Sequence, residues 1–147
     1  MYRKILVPLD GSALSESVLE HVIAIASGCK VPEVVLIRVS QPLDQTVTIA
    51  VDYETASELD NAHREEAVSY LEQVATGLKE KGLLVNTVVI KGKPAEEILN
   101  YAQSSGVDMI IMSSHGRSGA TRWVLGSVAD KVIRHSTVPV IIEPART

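Results

Sequence analysis

The sequence lacks the features that would place it outside a reducing, aqueous compartment. Cys29 is the one cysteine among 147 residues, so no intrachain disulfide can form and a reducing compartment is expected. The apolar runs are far too short to cross a bilayer. The first five residues lead directly into an apolar strand, without the architecture of a signal peptide. These absences predict a cytoplasmic protein with no membrane partner.

The sequence also lacks an excess of positive charge. Its formal net charge is −4, from 14 Lys and Arg against 18 Asp and Glu. The basic residues are scattered among acidic ones and form no stripe of the kind that displaces counterions from nucleic-acid phosphates. No nucleic-acid partner is expected. An acidic protein can still bind a nucleotide when backbone N–H groups, a few local cations or a metal ion meet its phosphates.

Signatures of metal binding and of fast ATP chemistry are missing too. His21, His63 and His135 have no Cys or carboxylate companions at ligand spacing, so no protein-held metal is predicted. The sequence contains no Gly-x-x-x-x-Gly-Lys-Ser/Thr phosphate loop and no Ser-Gly-Gly-x-Asp-Ser loop. His115-Gly116 is followed by Arg117 and does not continue into a His-x-Gly-His motif. Binding without rapid catalysis is therefore favoured.

What the sequence does contain is a regular alternation of short apolar runs and amphipathic stretches. A run such as Ile5–Leu9, stopped by Asp10-Gly11-Ser12, is typical of a strand buried on both faces of a parallel sheet. The alternation predicts one doubly wound α/β domain over residues 1–147, with a mostly parallel sheet and helices on both faces. The predicted strands are Ile5–Leu9, Val34–Val39, Val85–Ile90, Met109–Met112 and Val138–Ile142.

Four helices are predicted between these strands. The first runs from Leu14 to Gly28, and the second carries Leu59 to Leu78 on one face and stops before Gly82. Pro94 suits the first turn of the third helix, which ends at Gly106. The last helix uses the apolar residues from Leu125 to Ile133. The segment from Ser40 to about Thr55 has no clear period and is predicted to be a long loop.

Ligands of open α/β sheets bind beyond the carboxyl ends of the strands, where strand order reverses. This rule directs attention to Asp10–Ser12, Val39-Ser40 and Ser113–Ser127. In the third segment, glycines let backbone N–H groups approach an anion closely, and Gly126-Ser127 opens an amphipathic stretch whose N-terminus could meet a phosphate. On composition alone, ordinary turn geometry would be the preferred explanation of these residues.

A longer pattern adds to that composition. Nine residues, Arg117 to Leu125, separate Gly116 from Gly126, and Ser127 completes a Gly-Ser pair. In this the sequence resembles the universal stress protein family, whose ATP-binding members carry Gly-x-x-Gly, nine residues, and then Gly-Ser or Gly-Thr. The resemblance also includes the segments Lys4–Ser12, Asp108–Gly116 and Pro139–Ile142. The sequence departs from the pattern at Ser113, which stands where the family has its first glycine and could crowd a nucleotide or donate a hydrogen bond to it.

The resemblance implies an adenine nucleotide alpha hydrolase-like fold with strand order 3-2-1-4-5 and a site for ATP, either alone or with Mg²⁺ or Mn²⁺. Asp10 would face the ribose or a phosphate-bound metal, although an Asx turn is the alternative role for this residue. The backbone of Val39 would meet the adenine. Arg117 and Arg122 are candidate cations beside the phosphates, and His115 is assigned a loop-shaping role. The implied binding residues are Pro8, Leu9, Asp10, Val39, Met112, Ser113, Gly116, Arg117, Gly126, Ser127 and Val128.

Three functions remain open at this point. The resemblance favours a nucleotide-dependent regulatory or stress-response module that hydrolyses ATP slowly or not at all. A weak ATPase, and a dimeric scaffold that does not bind nucleotide, are the alternatives, and Ser113 is the residue that favours the scaffold. Relatives pair their last strand across a two-fold axis, so a homodimer through Val138–Ile142 is expected. Burial of that strand by the chain's own helices is the alternative.

Overall fold

A parallel sheet of five strands lies at the centre of the computed structural model, which describes residues 1–116 and 124–144. The strands are β1 Lys4–Pro8, β2 Glu33–Ser40, β3 Val85–Lys91, β4 Met109–Ser113 and β5 Val140–Glu143. Their order is β3-β2-β1-β4-β5, and every neighbouring pair is parallel. The predicted class and strand order are confirmed. Strand order reverses between β1 and β4, where a ligand crevice is expected.

Helices cover both faces of the sheet, as predicted. They are α1 Ala13–Glu16, α2 Leu19–Gly28, α3 Gln45–Ala50, α4 Tyr53–Glu80, α5 Pro94–Ser104 and α6 Ser127–His135. Side chains alternate along each strand, so Ile111 of β4 packs in the layer with α2 and α4 while Ile110 packs with α5 and α6. Both are fully buried. This two-sided burial explains why the strands are continuous apolar runs.

Helix α4 is much longer than the strands that it covers. Its 28 residues span about 42 Å at the usual helical rise, whereas the eight residues of β2 span about 26 Å. The buried residues of α4 begin at Ala67 and continue to Leu78. Because a helix that follows a parallel strand runs back along it, the first half of α4 lies at the carboxyl ends of the strands. Within residues 1–116 and 124–144, no helix is both long enough and apolar enough to cross a bilayer.

The prediction of one long loop from Ser40 to Thr55 is wrong, because this segment contains α3 and the start of α4. Both helices begin at an aspartate whose carboxylate accepts a backbone N–H. Asp44 accepts from Thr46 at 2.8 Å, and Asp52 accepts from Thr55 at 2.7 Å. These are ordinary N-caps. Helix α3 buries no residue, so it has no apolar period to reveal it.

Three other boundaries differ from the prediction. The first helix is interrupted after Glu16 and resumes at Leu19. The last helix begins at Ser127, after the exposed Leu125. The fifth strand occupies Val140–Glu143, not Val138–Ile142. The reason is a local turn, in which the Val138 N–H donates to Ser136 Oγ at 3.2 Å and that hydroxyl donates back to the Val138 carbonyl at 2.7 Å.

Candidate functional site

A cavity of about 590 Å³ lies at the switch point, beyond the carboxyl ends of β1, β2 and β4. Its size falls within the range of roughly 300–1,000 Å³ that is usual for small-molecule sites. Every candidate binding residue that the structure describes lines this one cavity: Pro8, Leu9, Asp10, Val39, Met112, Ser113, Gly116, Gly126, Ser127 and Val128. The remaining candidate, Arg117, lies outside the described residues, as does Arg122.

The carboxylate of Asp10 is held at the end of β1 by local hydrogen bonds. Its Oδ1 accepts from the Ser12 N–H at 2.9 Å and from the Ser12 hydroxyl at 2.6 Å. Ser12 Oγ in turn accepts the Ser15 N–H at 3.1 Å and caps α1. The Asx turn is therefore present. The other oxygen, Oδ2, lies so close to Gly116 that a Cβ on that glycine would collide with it.

Hydrogen bonds also fix the two ends of the glycine segment that follows β4. The Ser114 N–H donates to the Glu143 carbonyl at 2.9 Å, and the Ser114 carbonyl accepts the Gly126 N–H at 2.9 Å. A Cβ on Gly126 would lie 2.7 Å from that carbonyl oxygen, so the position requires glycine. Because the Gly126 N–H is used inside the loop, it is not available as the phosphate donor that the sequence suggested.

Helix α6 presents its N-terminus to the cavity. Its N-cap is Gly126, which provides no side-chain hydrogen bond, and the first intrahelical bond runs from Asp130 N–H to the Gly126 carbonyl at 2.9 Å. The N–H groups of Ser127 and Val128 precede that bond and have no acceptor within the helix. Both residues line the cavity. This end of α6 is therefore suited to an anion.

The end of β2 offers a second set of backbone groups. Pairing between β1 and β2 ends at Pro8 and Ile37, followed by a 2.9 Å bond from the Leu9 N–H to the Ile37 carbonyl. Ser40 accepts the Gly92 N–H on the opposite side, at 2.9 Å. Successive residues of a strand direct their backbone groups to alternate neighbours. The N–H and carbonyl of Val39 therefore face the β1 side, beyond the end of β1, where the cavity lies.

The side chains around Val39 are apolar on one wall of the cavity. Pro94 and Ile98 from the start of α5 face Met112 from the end of β4. Ile98 and Met112 are both at most 5% exposed. Together with the Val39 backbone, they give this part of the cavity apolar side chains and one polar edge.

The sequence did not point to the opposite wall, which contains Arg38 of β2 and both His63 and Glu66 of α4. The Arg38 guanidinium lies 5.2 Å from the centre of the Tyr70 ring. Burial, followed by the negative charge of Glu16, raises the pKa of Tyr70 to about 12, against the opposing effect of Arg38. Helical spacing was the signal available: positions 63, 66, 67 and 70 share the inner face of α4.

His115 contacts its neighbours in the loop. Its Nδ1 lies 2.9 Å from Ser114 Oγ, and its backbone N–H donates to Ser113 Oγ at 3.4 Å. Ser113 is 5% exposed, and this contact keeps its hydroxyl within the loop. Among residues 1–116 and 124–144, no three His, Cys, Asp or Glu side chains form a group that could hold a metal ion.

With this geometry established, comparison with known proteins identifies the family. The sequence matches the universal stress protein family over residues 1–144. The chain belongs to this family. Universal stress protein MJ0577 of Methanocaldococcus jannaschii is 35% identical, over 97% of this chain and 94% of its own length. Universal stress protein YxiE of Bacillus subtilis is 33% identical, over 97% and 99%.

Solved structures of universal stress proteins share the fold. The structure of MJ0577 superposes with a TM-score of 0.87 at 36% identity and covers 100% of this chain and 99% of that one. A universal stress protein in complex with cAMP has a TM-score of 0.72 at 18% identity, covering 99% and 98%. A family member from Arabidopsis thaliana with AMP bound has a TM-score of 0.68 at 16% identity, covering 99% and 93%.

Proposed function

We propose that this universal stress protein binds an adenine nucleotide, ATP foremost, and acts as a nucleotide-dependent regulatory or stress-response module. The observation that carries the proposal is that an uncapped helix N-terminus and an unpaired strand edge open into the same cavity of about 590 Å³. Family members in complex with cAMP and AMP support it, because their folds match this one.

The phosphates would lie at the start of α6. The N–H groups of Ser127 and Val128 would donate to them, and the absence of a Cβ on Gly116 lets the Asp10 carboxylate lie beside the loop at this end of the cavity. Arg117 is retained as a cationic neighbour. A Mg²⁺ or Mn²⁺ ion would be held mainly by the phosphates, and the Asp10 carboxylate, which lines the cavity, is the candidate protein ligand. The Ser113 hydroxyl accepts the His115 N–H at 3.4 Å, and we expect it to leave room for the nucleotide.

The base would lie in the slot between Pro94, Ile98 and Met112, with its polar edge on Val39. Adenine offers an acceptor at N1 and an amino donor at N6, which match the Val39 N–H and carbonyl respectively. Guanine presents a donor at N1 and an acceptor at O6, so both contacts would become unfavourable. The backbone edge therefore favours adenine by hydrogen-bond polarity, without a specific side chain.

Slow hydrolysis, or none, is the expected chemistry. His115 is the loop's histidine, and its Nδ1 contacts a serine hydroxyl, not an orienting carboxylate. A general base without such a partner is poorly placed to activate water. A weak ATPase would be indicated by steady phosphate release that disappears in Asp10→Ala protein.

Calorimetric titration with Mg-ATP and Mg-GTP tests the proposal. We expect ATP to bind at least about tenfold more tightly than GTP, since a mismatched buried hydrogen bond costs more than 1 kcal/mol. Gly126→Val protein should bind neither. Heat-denatured wild-type protein should also release any nucleotide retained through purification. Failure to bind ATP at millimolar concentration, with an unchanged melting temperature, would favour the scaffold function instead.

A further inference from the structure

The inner face of α4 continues past the sheet as a polar wall of the cavity. Ala67 is 1% exposed and is the first buried residue of the helix. Glu66 precedes it, His63 lies one turn earlier on the same face, and both line the cavity although they are exposed. Where an amphipathic helix extends past the sheet, polar residues on its core-facing side have no core to pack against. Their position at the ligand end of the helix suggests a binding role.

Contacts with β3 hold this wall in place. Lys91 Nζ lies 2.7 Å from Asp60 Oδ2, one turn before His63, and Thr87 Oγ1 donates to Glu72 Oε1 at 2.8 Å. Between these two contacts Ala67 and Leu71 pack in the core. The backbone of α4 at Glu66 is therefore fixed relative to the ends of the strands.

Glu66 is the carboxylate on this wall, and it has no ionic partner among the residues that the structure describes. None of the ion pairs within residues 1–116 and 124–144 involves it. Asp10, the other carboxylate lining the cavity, uses its Oδ1 for two hydrogen bonds from Ser12. The other oxygen of Asp10, Oδ2, lies against Gly116, so a ligand hydroxyl that enters between the two walls finds a second carboxylate acceptor in Glu66.

We infer that Glu66 recognises the ribose of the bound nucleotide by accepting a hydrogen bond from a ribose hydroxyl. The inference rests on the proposed function, which places the base in the slot at Val39 and the phosphates at Ser127. The ribose would then lie between the two, near Leu9 and Asp10, and its hydroxyl edge would face α4. Acidic side chains commonly hold ribose hydroxyls in doubly wound folds. Glu66 is a specificity-determining residue, because it favours ribonucleotides over nucleotides whose sugars lack these hydroxyls.

Binding of Mg-ATP and of Mg-2′,3′-dideoxy-ATP to the full chain tests this role. We expect wild-type protein to prefer ATP by about tenfold, the usual value of one hydrogen bond to a charged acceptor. Glu66→Ala should weaken ATP binding by a similar factor and leave dideoxy-ATP binding within about twofold. Glu66→Gln, which keeps a neutral acceptor, should be intermediate. Glu65→Ala is the matched control, because Glu65 is next to Glu66 in the chain but its carboxylate does not line this cavity.

The outcomes separate this inference from the proposed function. If Glu66→Ala weakens both ligands equally, or leaves the preference unchanged, the ribose role is wrong while nucleotide binding stands. If the substitution tightens ATP binding, Glu66 acts as a negative charge that repels the phosphates, and the inference is again wrong. If wild-type protein binds neither ligand, the proposed function and the ribose role both fail.

Discussion

At the scale of single residues, close contact between main chain and carboxylate defines the centre of the site. Gly116 and Gly126 are both glycines because another atom occupies the place of a Cβ, namely Asp10 Oδ2 in one case and the Ser114 carbonyl in the other. Gly77 differs, because it lies on the exposed side of α4 with nothing within 4 Å of a Cβ. Gly116 and Gly126, which line the cavity, are therefore crowded where a Cβ would stand, whereas Gly77 is not.

Gly116→Ala should lower the free energy of unfolding by about 1–3 kcal/mol, the usual cost of overpacking a rigid site. Gly77→Ala, the matched control, should raise it by about 0.5–1 kcal/mol, because alanine is favoured in an exposed helix. Urea denaturation measures both. The double variant Asp10→Ala/Gly116→Ala should lose less stability than the two single changes added together. Simple additivity would show that the two residues do not collide.

At the scale of secondary-structure elements, short local signals start helices that apolar periodicity does not reveal. Asp52 caps α4, and hydrogen bonds from the Thr55 side chain and backbone lower the pKa of Asp52 below its usual value of 3.8. A carboxyl whose pKa is lower in the folded state stabilises the fold above its unfolded pKa. That contribution is lost as the pH falls through the folded value.

Asp52→Ala should therefore be less stable than wild type at neutral pH, and the difference should shrink as the pH falls below 3.8. Asp52→Asn is the control, since asparagine caps a helix without titrating. The Asp52→Asn variant should be more stable than the Asp52→Ala variant at every pH. Urea denaturation followed by circular dichroism provides the measurement. If the stability difference between Asp52→Ala and wild type stayed constant through the acid range, stabilisation by a charged cap would be contradicted.

At the scale of the whole molecule, β5 leaves one edge of the sheet open. The Ile110 N–H donates to the Pro139 carbonyl and the Ser114 N–H to the Glu143 carbonyl, both at 2.9 Å. Because backbone groups alternate, Ile142 directs its N–H away from β4 and toward the open edge. Such an edge usually needs a partner or a cover. The predicted homodimer would pair this edge across a two-fold axis, through Val140–Glu143 in place of the range expected from sequence.

Light scattering at micromolar concentration should give twice the chain mass of 15.8 kDa for the wild type. Ile142→Pro should give a monomer, because proline removes the outward N–H yet is tolerated on an edge strand. Ile142→Ala, which loses the side chain but keeps the N–H, should remain a dimer. A monomeric wild type, or a dimeric proline variant, would rule out pairing through this edge.

Local sequence patterns were sufficient to predict the fold class, because strands buried on both faces must be continuous apolar runs and the helices between them must be amphipathic. Through its resemblance to the family, the sequence also indicated strand order and a set of residues that the structure brings to one cavity. It could not reveal α3, which buries nothing, or the place where β5 begins after the Ser136 turn.

The contacts that each of these residues can make depend on the three-dimensional arrangement of the elements. The hydrophobic periodicity of a strand or helix indicates which of its sides faces the core. It does not indicate which of two neighbouring elements ends first. Val39 has a free backbone edge because β1 stops at Pro8, and Glu66 reaches the cavity because α4 overruns the sheet. Gly126 keeps its N–H within the loop because Ser114 lies opposite it. These outcomes depend on relative lengths and on distances between segments far apart in the chain, which local sequence patterns do not encode.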